Sequence, residues 1–204
     1  MKNLFDWPRS KAYPRSMSSH IWLVRHGETA WSLSGAHTGL TDIPLTPNGQ
    51  LQALAIAQRL QGRSFSLVLS SPLQRARETC RLAGYSDCAE IEPDLLEWDY
   101  GAFEGLSTPE IRQSHPNWNL WNDGVPEGET VEQVGERAHR VITRCAEAHG
   151  DVALFAHGHL LRILAATWLG LPPDCGRLFA LSTATISLLG HERDTHVISG
   201  WNMS

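Results

Sequence analysis

Two strand-like runs in this chain each end on a histidine followed by glycine: Ile21-Trp22-Leu23-Val24 leads into Arg25-His26-Gly27, and Asp151 to Ala156 leads into His157-Gly158-His159. A neutral imidazole nitrogen can attack phosphorus and carry the phosphoryl group as a phosphohistidine, which splits one hard displacement into two easier ones. His26 is assigned that role. The equatorial phosphoryl oxygens call for guanidinium groups, which are planar, permanently charged and able to pair two oxygens at once. Arg25 is one candidate and Arg75 the other. His157 and His159 form a His-x-His pair, but no third ligand has fitting spacing, so no metal is expected. No other cofactor is expected either.

Alternating strands and helices must deliver these groups. Thr46-Pro47 reads as an N-cap with proline in the first helical turn, and Leu51, Leu54 and Ala55 are expected to form that helix's buried stripe. A strand follows at Phe65 to Leu69. Ser71-Pro72 repeats the helix-start signal, with the helix running to about Ala83 and a short apolar run near Cys88 to Ile91. Residues 94–130 are rich in Gly, Pro and Trp, with a short helix begun by Thr108-Pro109, and read as an insertion over an active site. In it, Trp118 and Trp121 either line the mouth or pack the insertion onto the core.

Val131, Val134, Ala138, Val141, Ile142 and Cys145 recur at three- and four-residue steps, the mark of a long amphipathic helix. Another helix runs through Trp168 and Leu169. Ala184 to Leu189 and Thr195 to Trp201 flank residues 190–194 as a hairpin, so the last strands are antiparallel. The sum is an α/β domain, a three-layer α/β/α sandwich around a mostly parallel mixed sheet. Ligands of such sheets sit at the carboxyl ends of the strands, where His26 and His157 fall.

The chain has 204 residues, enough for one domain at 19–204 that buries a core unaided. Residues 1–18 read as a flexible extension, with Pro8, Pro14 and four cations within the first sixteen positions, and Met17 as a second start. A net charge of -5 gives no electrostatic footprint for nucleic acid, and no apolar run approaches the ~20 residues of a membrane span. Cys80, Cys88, Cys145 and Cys175 lie far apart, which with no secretory leader points to reduced thiols in the cytoplasm. A second copy of the chain, giving a homodimer, stays open.

The motifs also carry a resemblance. Arg25-His26-Gly27-Glu28-Thr29, Thr38-Gly39 through Asp42, Pro44-Leu45-Thr46, Ser71-Pro72-x-x-Arg75-Ala76-x-x-Thr79, Glu97 before Tyr100-Gly101 and Glu104-Gly105, and His157-Gly158 occur in order from Ile21 to Trp168. This series resembles the histidine phosphatase superfamily, also called the phosphoglycerate-mutase-like family, and implies that fold. The resemblance implies a phosphorylated His26, with Arg25, Arg75 and His157 around the phosphoryl group. Glu97 is then proton donor, and afterwards base for water. Ser32 stands where family mutases typically carry asparagine, as a phosphate contact. Thr38 and Gly39 would meet substrate through their loop.

Residues 94–130 hold eight acidic residues against Arg112 alone. A mutase holding a doubly charged phosphoglycerate benefits from cations there, and the basic pair of the family's mutases is missing. The expected activity is therefore a metal-independent phosphomonoesterase acting on a small phosphorylated metabolite. The stretch Trp31 to Gly39 is similar to a subgroup of broad-specificity acid phosphatases and sedoheptulose-bisphosphatase-like enzymes, which points to a sugar phosphate. A cofactor-dependent phosphoglycerate mutase and a catalytically idle phospho-ligand-binding domain are the alternatives.

Overall fold

Short segments that are apolar at nearly every position must be covered on both faces. In the computed structural model, which describes residues 19–204, they lie side by side in one sheet. The strands are β1 (Ile21–Arg25), β2 (Leu67–Ser70), β3 (Ala89–Ile91), β4 (Val152–Ala156), β5 (Ile186–Glu192) and β6 (Thr195–Met203). Their order is β3-β2-β4-β1-β5-β6. The first four neighbours run parallel, whereas β5 and β6 are antiparallel additions at the β1 edge. The expected extension over residues 1–18, with Met17, lies outside the described residues.

The two-residue side-chain period of a strand divides the core. Ile21, Leu23, Val152, Leu154 and Ala156 enter one buried cluster, while Trp22, Val24, Ala153 and Phe155 enter another on the opposite face. The first face is covered by α6 (Val131–Ala146) and α7 (Gly158–Trp168), together with Leu95, Trp98, Tyr100 and Trp118 from the 94–130 segment. The second is covered by α2 (Pro47–Leu60) and α3 (Gln74–Leu82). This is the expected α/β/α layering.

Local signals set most helix ends. Thr46 caps α2 by accepting from the Gly49 amide at 2.9 Å, with Pro47 at the first helical position. Thr130 and Gln133 form a reciprocal capping box at α6, whose buried face is Val134, Gly135, Ala138, Val141, Ile142 and Cys145. Three short helices, α1 (Ala30–Ser34), α4 (Thr108–Ser114) and α5 (Leu120–Asp123), complete the set.

Three expectations change. The buried stripe of α2 is Gly49, Ala53, Ile56 and Leu60, and Leu51, Leu54 and Ala55 are exposed. Both sets have helical spacing, but only the Ile56–Leu60 face meets Trp22 and Val68 in the core. Ser71-Pro72 does not start α3, which begins at Gln74 with Leu73 in the cap position and no side-chain cap from its own segment. Asp42 instead reaches across from a distant loop, its Oδ1 accepting from the Gln74 amide at 2.8 Å. Finally, the hairpin turns tightly at Arg193 and Asp194, so β5 extends through the residues expected to form the connection.

Candidate active site

Strand register brings the two histidines together. Parallel pairing of β1 with β4 sets Arg25 opposite Ala156, and the His26 amide continues the ladder by donating to the Ala156 carbonyl at 3.0 Å. The next residues, His26 and His157, therefore stand beside each other with ring centroids 5.2 Å apart. Both are buried. Gly27 allows this geometry because a Cβ there would lie 2.3 Å from the Gly49 carbonyl oxygen at the start of α2. The Gly27 amide is held by the Thr79 hydroxyl at 3.0 Å.

Burial, reinforced by the charges of Arg25 and then Arg75, holds the His26 imidazole well below the usual histidine range, so the ring is neutral at pH 7. Its Nδ1 lies 2.7 Å from the Gly27 carbonyl, which can only accept. The single proton is therefore assigned to Nδ1, and Nε2 carries the lone pair. This is the tautomer a nucleophile needs. Arg25 donates through one terminal nitrogen to the Leu181 carbonyl at 2.5 Å, and its buried Nε has no partner among the described residues. An orphaned, buried guanidinium N–H is fitted to an anionic oxygen.

Arg75 is committed differently. Its Nε donates to His157 Nδ1 at 3.2 Å, and its terminal nitrogens donate to the carbonyls of Thr38, Gly39 and Thr41 at 3.1, 2.8 and 3.0 Å. Because arginine only donates, His157 Nδ1 is an acceptor and the ring proton sits on Nε2, which donates to Ser71 Oγ at 2.7 Å. Burial and the Arg75 charge keep His157 neutral as well. From the other side, the Glu104 carboxylate accepts from the amides of Gly39 at 2.8 Å and Thr41 at 3.1 Å. The 38–41 loop is thus clamped between a buried cation on its carbonyls and a carboxylate on its amides.

Glu97 is also buried. Its Oε1 accepts from the amides of Trp98 and Leu160 at 3.0 and 2.9 Å, and its Oε2 accepts from the His159 amide at 3.0 Å. His159 and Leu160 belong to the first turn of α7, so Glu97 caps the helix that begins beside His157. Oε2 has a single amide donor and keeps an oxygen lone pair for a proton.

His26, His157, Arg25, Arg75 and Glu97 are therefore gathered at the carboxyl ends of β1 and β4. Ser32, Thr38 and Gly39 have other local duties: Ser32 Oγ closes a capping box with Thr29 on α1, and the Thr38 hydroxyl donates to the Ala36 carbonyl at 3.1 Å. Gly39 is required by crowding, since a Cβ would lie 2.6 Å from both Glu104 Oε2 and the Trp98 carbonyl oxygen. Trp118 is buried with its indole N–H on the Gly124 carbonyl, while Trp121 is half-buried. Sequence reasoning missed the parts played by Ser71 and Glu104. Both stood inside recognised motifs, Ser71 read as a helix start and Glu104 with no role. Among the described residues no three His, Cys, Asp or Glu side chains are grouped to hold a metal ion. No helix among them is long and apolar enough to cross a membrane.

Comparison with known proteins agrees with this geometry. The model of the histidine phosphatase superfamily (branch 1) matches residues 21–204. An acid phosphatase of Mycobacterium tuberculosis is 42% identical, with 84% of this chain and 86% of the relative covered. A sedoheptulose 1,7-bisphosphatase of Saccharomyces cerevisiae is 38% identical, over 76% of this chain and 69% of the relative. The solved structure of an open-reading-frame product of Mycobacterium tuberculosis superposes with a TM-score of 0.87 at 38% identity, covering 91% of this chain and 98% of that one. With its paired strand-end histidines, its buried arginines and a family match over the whole described domain, the chain belongs to the histidine phosphatase superfamily.

Proposed function

We propose that this chain is a phosphomonoesterase that hydrolyses a small phosphorylated metabolite through a phosphohistidine on His26. The observation that carries this reading is the 2.7 Å contact of His26 Nδ1 with the Gly27 carbonyl in a buried, cationic site, which assigns the ring proton to Nδ1 and leaves Nε2 unprotonated. Nε2 attacks phosphorus, the bond from phosphorus to the ester oxygen breaks, and Glu97 protonates the departing alkoxide. Water then attacks the phosphorus of phospho-His26, Glu97 takes the water proton, and phosphate leaves as the N–P bond breaks. Arg25, Arg75 and His157 surround the phosphoryl group in the transition state: Arg25 offers its unpaired Nε–H, Arg75 its charge and its one uncommitted N–H, and His157 turns its Nε2–H from Ser71 to a phosphoryl oxygen. Thr38 and Gly39 form the loop beside the substrate, and Ser32 contributes from α1.

The names of the relatives, acid phosphatase and sedoheptulose bisphosphatase, support hydrolysis of a metabolite, and four free cysteines fit a reducing cytoplasm. The net charge of -5 favours neither nucleic acid nor an anionic membrane as partner. The test is phosphate release from a panel of monoesters in EDTA by wild type and His26→Ala, with acid-labile phosphoenzyme trapped in parallel. Release and trapping by wild type alone are expected. Full hydrolysis by His26→Ala would remove the proposal, and phosphoryl transfer to 3-phosphoglycerate without phosphate release would replace it with a mutase.

A further inference from the structure

Beside Glu97 stands a group of rings that the chemistry above does not use. His159, whose backbone amide holds Glu97 Oε2, has its own ring 5.3 Å from Trp121, 6.2 Å from Trp98 and 6.4 Å from His37. Trp98 and Tyr100 behind them are buried, whereas His37, Trp121 and His159 each keep part of their surface open. The wall adjoins the catalytic residues on a second side through Tyr100, whose ring would lie 3.0 Å from a Cβ on Gly39, the residue whose carbonyl Arg75 holds.

The hydrogen-bond network fixes what this wall offers. Tyr100 Oη lies 2.6 Å from His159 Nδ1. Burial pushes the Tyr100 phenol well above its usual range, so it remains protonated, and burial keeps His159 neutral. No other acceptor for the phenol is present among the described residues. The phenol therefore donates to Nδ1, which leaves the His159 proton on Nε2 with no protein partner there. His37 is likewise held neutral by burial, and neither of its ring nitrogens has a hydrogen bond among the described residues. The wall thus presents an N–H donor from His159, one donor and one acceptor from His37, and the indole of Trp121.

Building on the phosphatase reading, we propose that His159, His37 and Trp121 form the leaving-group subsite, and that it selects a neutral polyhydroxylated alcohol, a sugar or polyol, over an apolar one. Uncharged groups that donate and accept match hydroxyls, which do both, and an aromatic face covers the C–H side of a sugar ring. A hydroxyl-binding site rejects the analogue lacking hydroxyls because its own polar groups are then left unpaired. Arg162 packs on Trp121 at 4.8 Å but spends two of its nitrogens on the carbonyls of Gly176 and Arg177.

The experiment compares kcat/KM for ribose 5-phosphate, phenyl phosphate, ethyl phosphate and fructose 1,6-bisphosphate in wild type, His159→Phe, His159→Gln, His37→Phe and Trp121→Leu. Wild type is expected to favour ribose 5-phosphate over ethyl phosphate by at least tenfold. His159→Phe, which keeps a ring but deletes the donor, should cut that ratio about tenfold, and His159→Gln should restore most of it. His37→Phe, an independent change on another segment, should cut it severalfold. Trp121→Leu should lower ribose 5-phosphate and phenyl phosphate together, relative to ethyl phosphate. Ratios that stay within twofold in both histidine variants would overturn the proposal. So would a strong wild-type preference for the bisphosphate that Arg162→Ala abolishes, because a second phosphate rather than hydroxyls would then be recognised. Absence of hydrolysis for every ester would instead remove the phosphatase reading.

Discussion

Arg25 and Arg75 carry the same charge beside the same histidines, yet replacing each by lysine should separate two kinds of work. Arg75 makes four protein hydrogen bonds, one to His157 Nδ1 and three to loop carbonyls. A lysine ammonium keeps the charge but has no fork, and from one position it can reach about one of those acceptors. Of these four acceptors, two buried and two part-buried, three then lose their donor at about 1 to 1.5 kcal/mol each, the low end of the penalty for an unsatisfied buried group. The sum, about 3 to 5 kcal/mol, is a large part of a domain stability of roughly 5 to 15 kcal/mol. Arg25 has one protein bond, to Leu181, and an orphaned Nε that lysine would delete. Arg25→Lys should cost only about 1 kcal/mol by the same scale. At roughly 2 to 4 °C per kcal/mol for a domain of this size, the expected drops in Tm are about 10 °C for Arg75→Lys and about 3 °C for Arg25→Lys. Urea unfolding checks the free energies directly, and both variants should lose most of their kcat/KM. A fall in stability for Arg25→Lys equal to or larger than that for Arg75→Lys would refute the division of labour.

Glu104→Gln can keep one oxygen on the Gly39 and Thr41 amides but must set its N–H₂ where the second carboxylate oxygen accepts from the Gly39 amide at 3.1 Å; a severalfold rise in KM with a smaller change in kcat is expected from steady-state kinetics. Acid should destabilise the fold, because His26, His157 and His159 all have native pKa values depressed below 6.5. As pH falls below about 6.5 the unfolded chain binds protons that the native state refuses, so stability is lost at up to ~1.4 kcal/mol per pH unit for each ring until its native pKa is reached. Urea midpoints that stay level between pH 7 and pH 5 would contradict this. The same direction keeps His26 nucleophilic in mild acid, so the acidic limb of kcat/KM assigned to it should lie below pH 6.5. In the core, Phe155→Ala should cost about 3 to 5 kcal/mol by denaturant unfolding, since the ring is fully buried between the sheet and α3.

The sequence made the layered architecture legible because β1 and β4 are apolar at consecutive positions and α6 repeats its apolar residues at helical steps. Chemistry was legible where a residue type has few other reasons to sit at a strand end, as with His26 and His157. The phase of α2 was not, because Leu51 and Leu54 have the same spacing as Ala53, Ile56 and Leu60, and only the opposing strand face distinguishes them. Ser71 was misread for a related reason. A serine before proline is a local signal for a helix start, but its hydroxyl serves His157, which is 86 residues away in the chain. The clamp on the 38–41 loop was equally hidden, since Glu104, Arg75 and Gly39 meet only when the 94–130 segment folds back over the sheet. Partners fixed by tertiary contact leave no periodic trace.

One choice in the site bears on how the phosphoryl charge is met. The N-terminus of α7 lies beside His157, and exposed amides at such a position bind phosphate in many folds. Here two of those amides, on His159 and Leu160, are already taken by Glu97. The helix end thus fixes a carboxyl group, and in the proposed reaction the phosphoryl oxygens are left chiefly to guanidinium groups. That assignment is consistent with Arg25 having a buried N–H that no protein atom satisfies. It also predicts asymmetric rescue. Glu97→Gln must point its N–H₂ at one of the α7 or Trp98 amides, so it should disturb the helix start as well as remove the proton donor. Glu97→Ala frees the amides and opens the helix end to an anion. Inorganic phosphate should therefore protect Glu97→Ala against thermal unfolding more than it protects Glu97→Gln. Equal protection of the two variants by phosphate, followed by Tm across a concentration series, would mean that the helix end is not the element Glu97 occupies in place of the substrate.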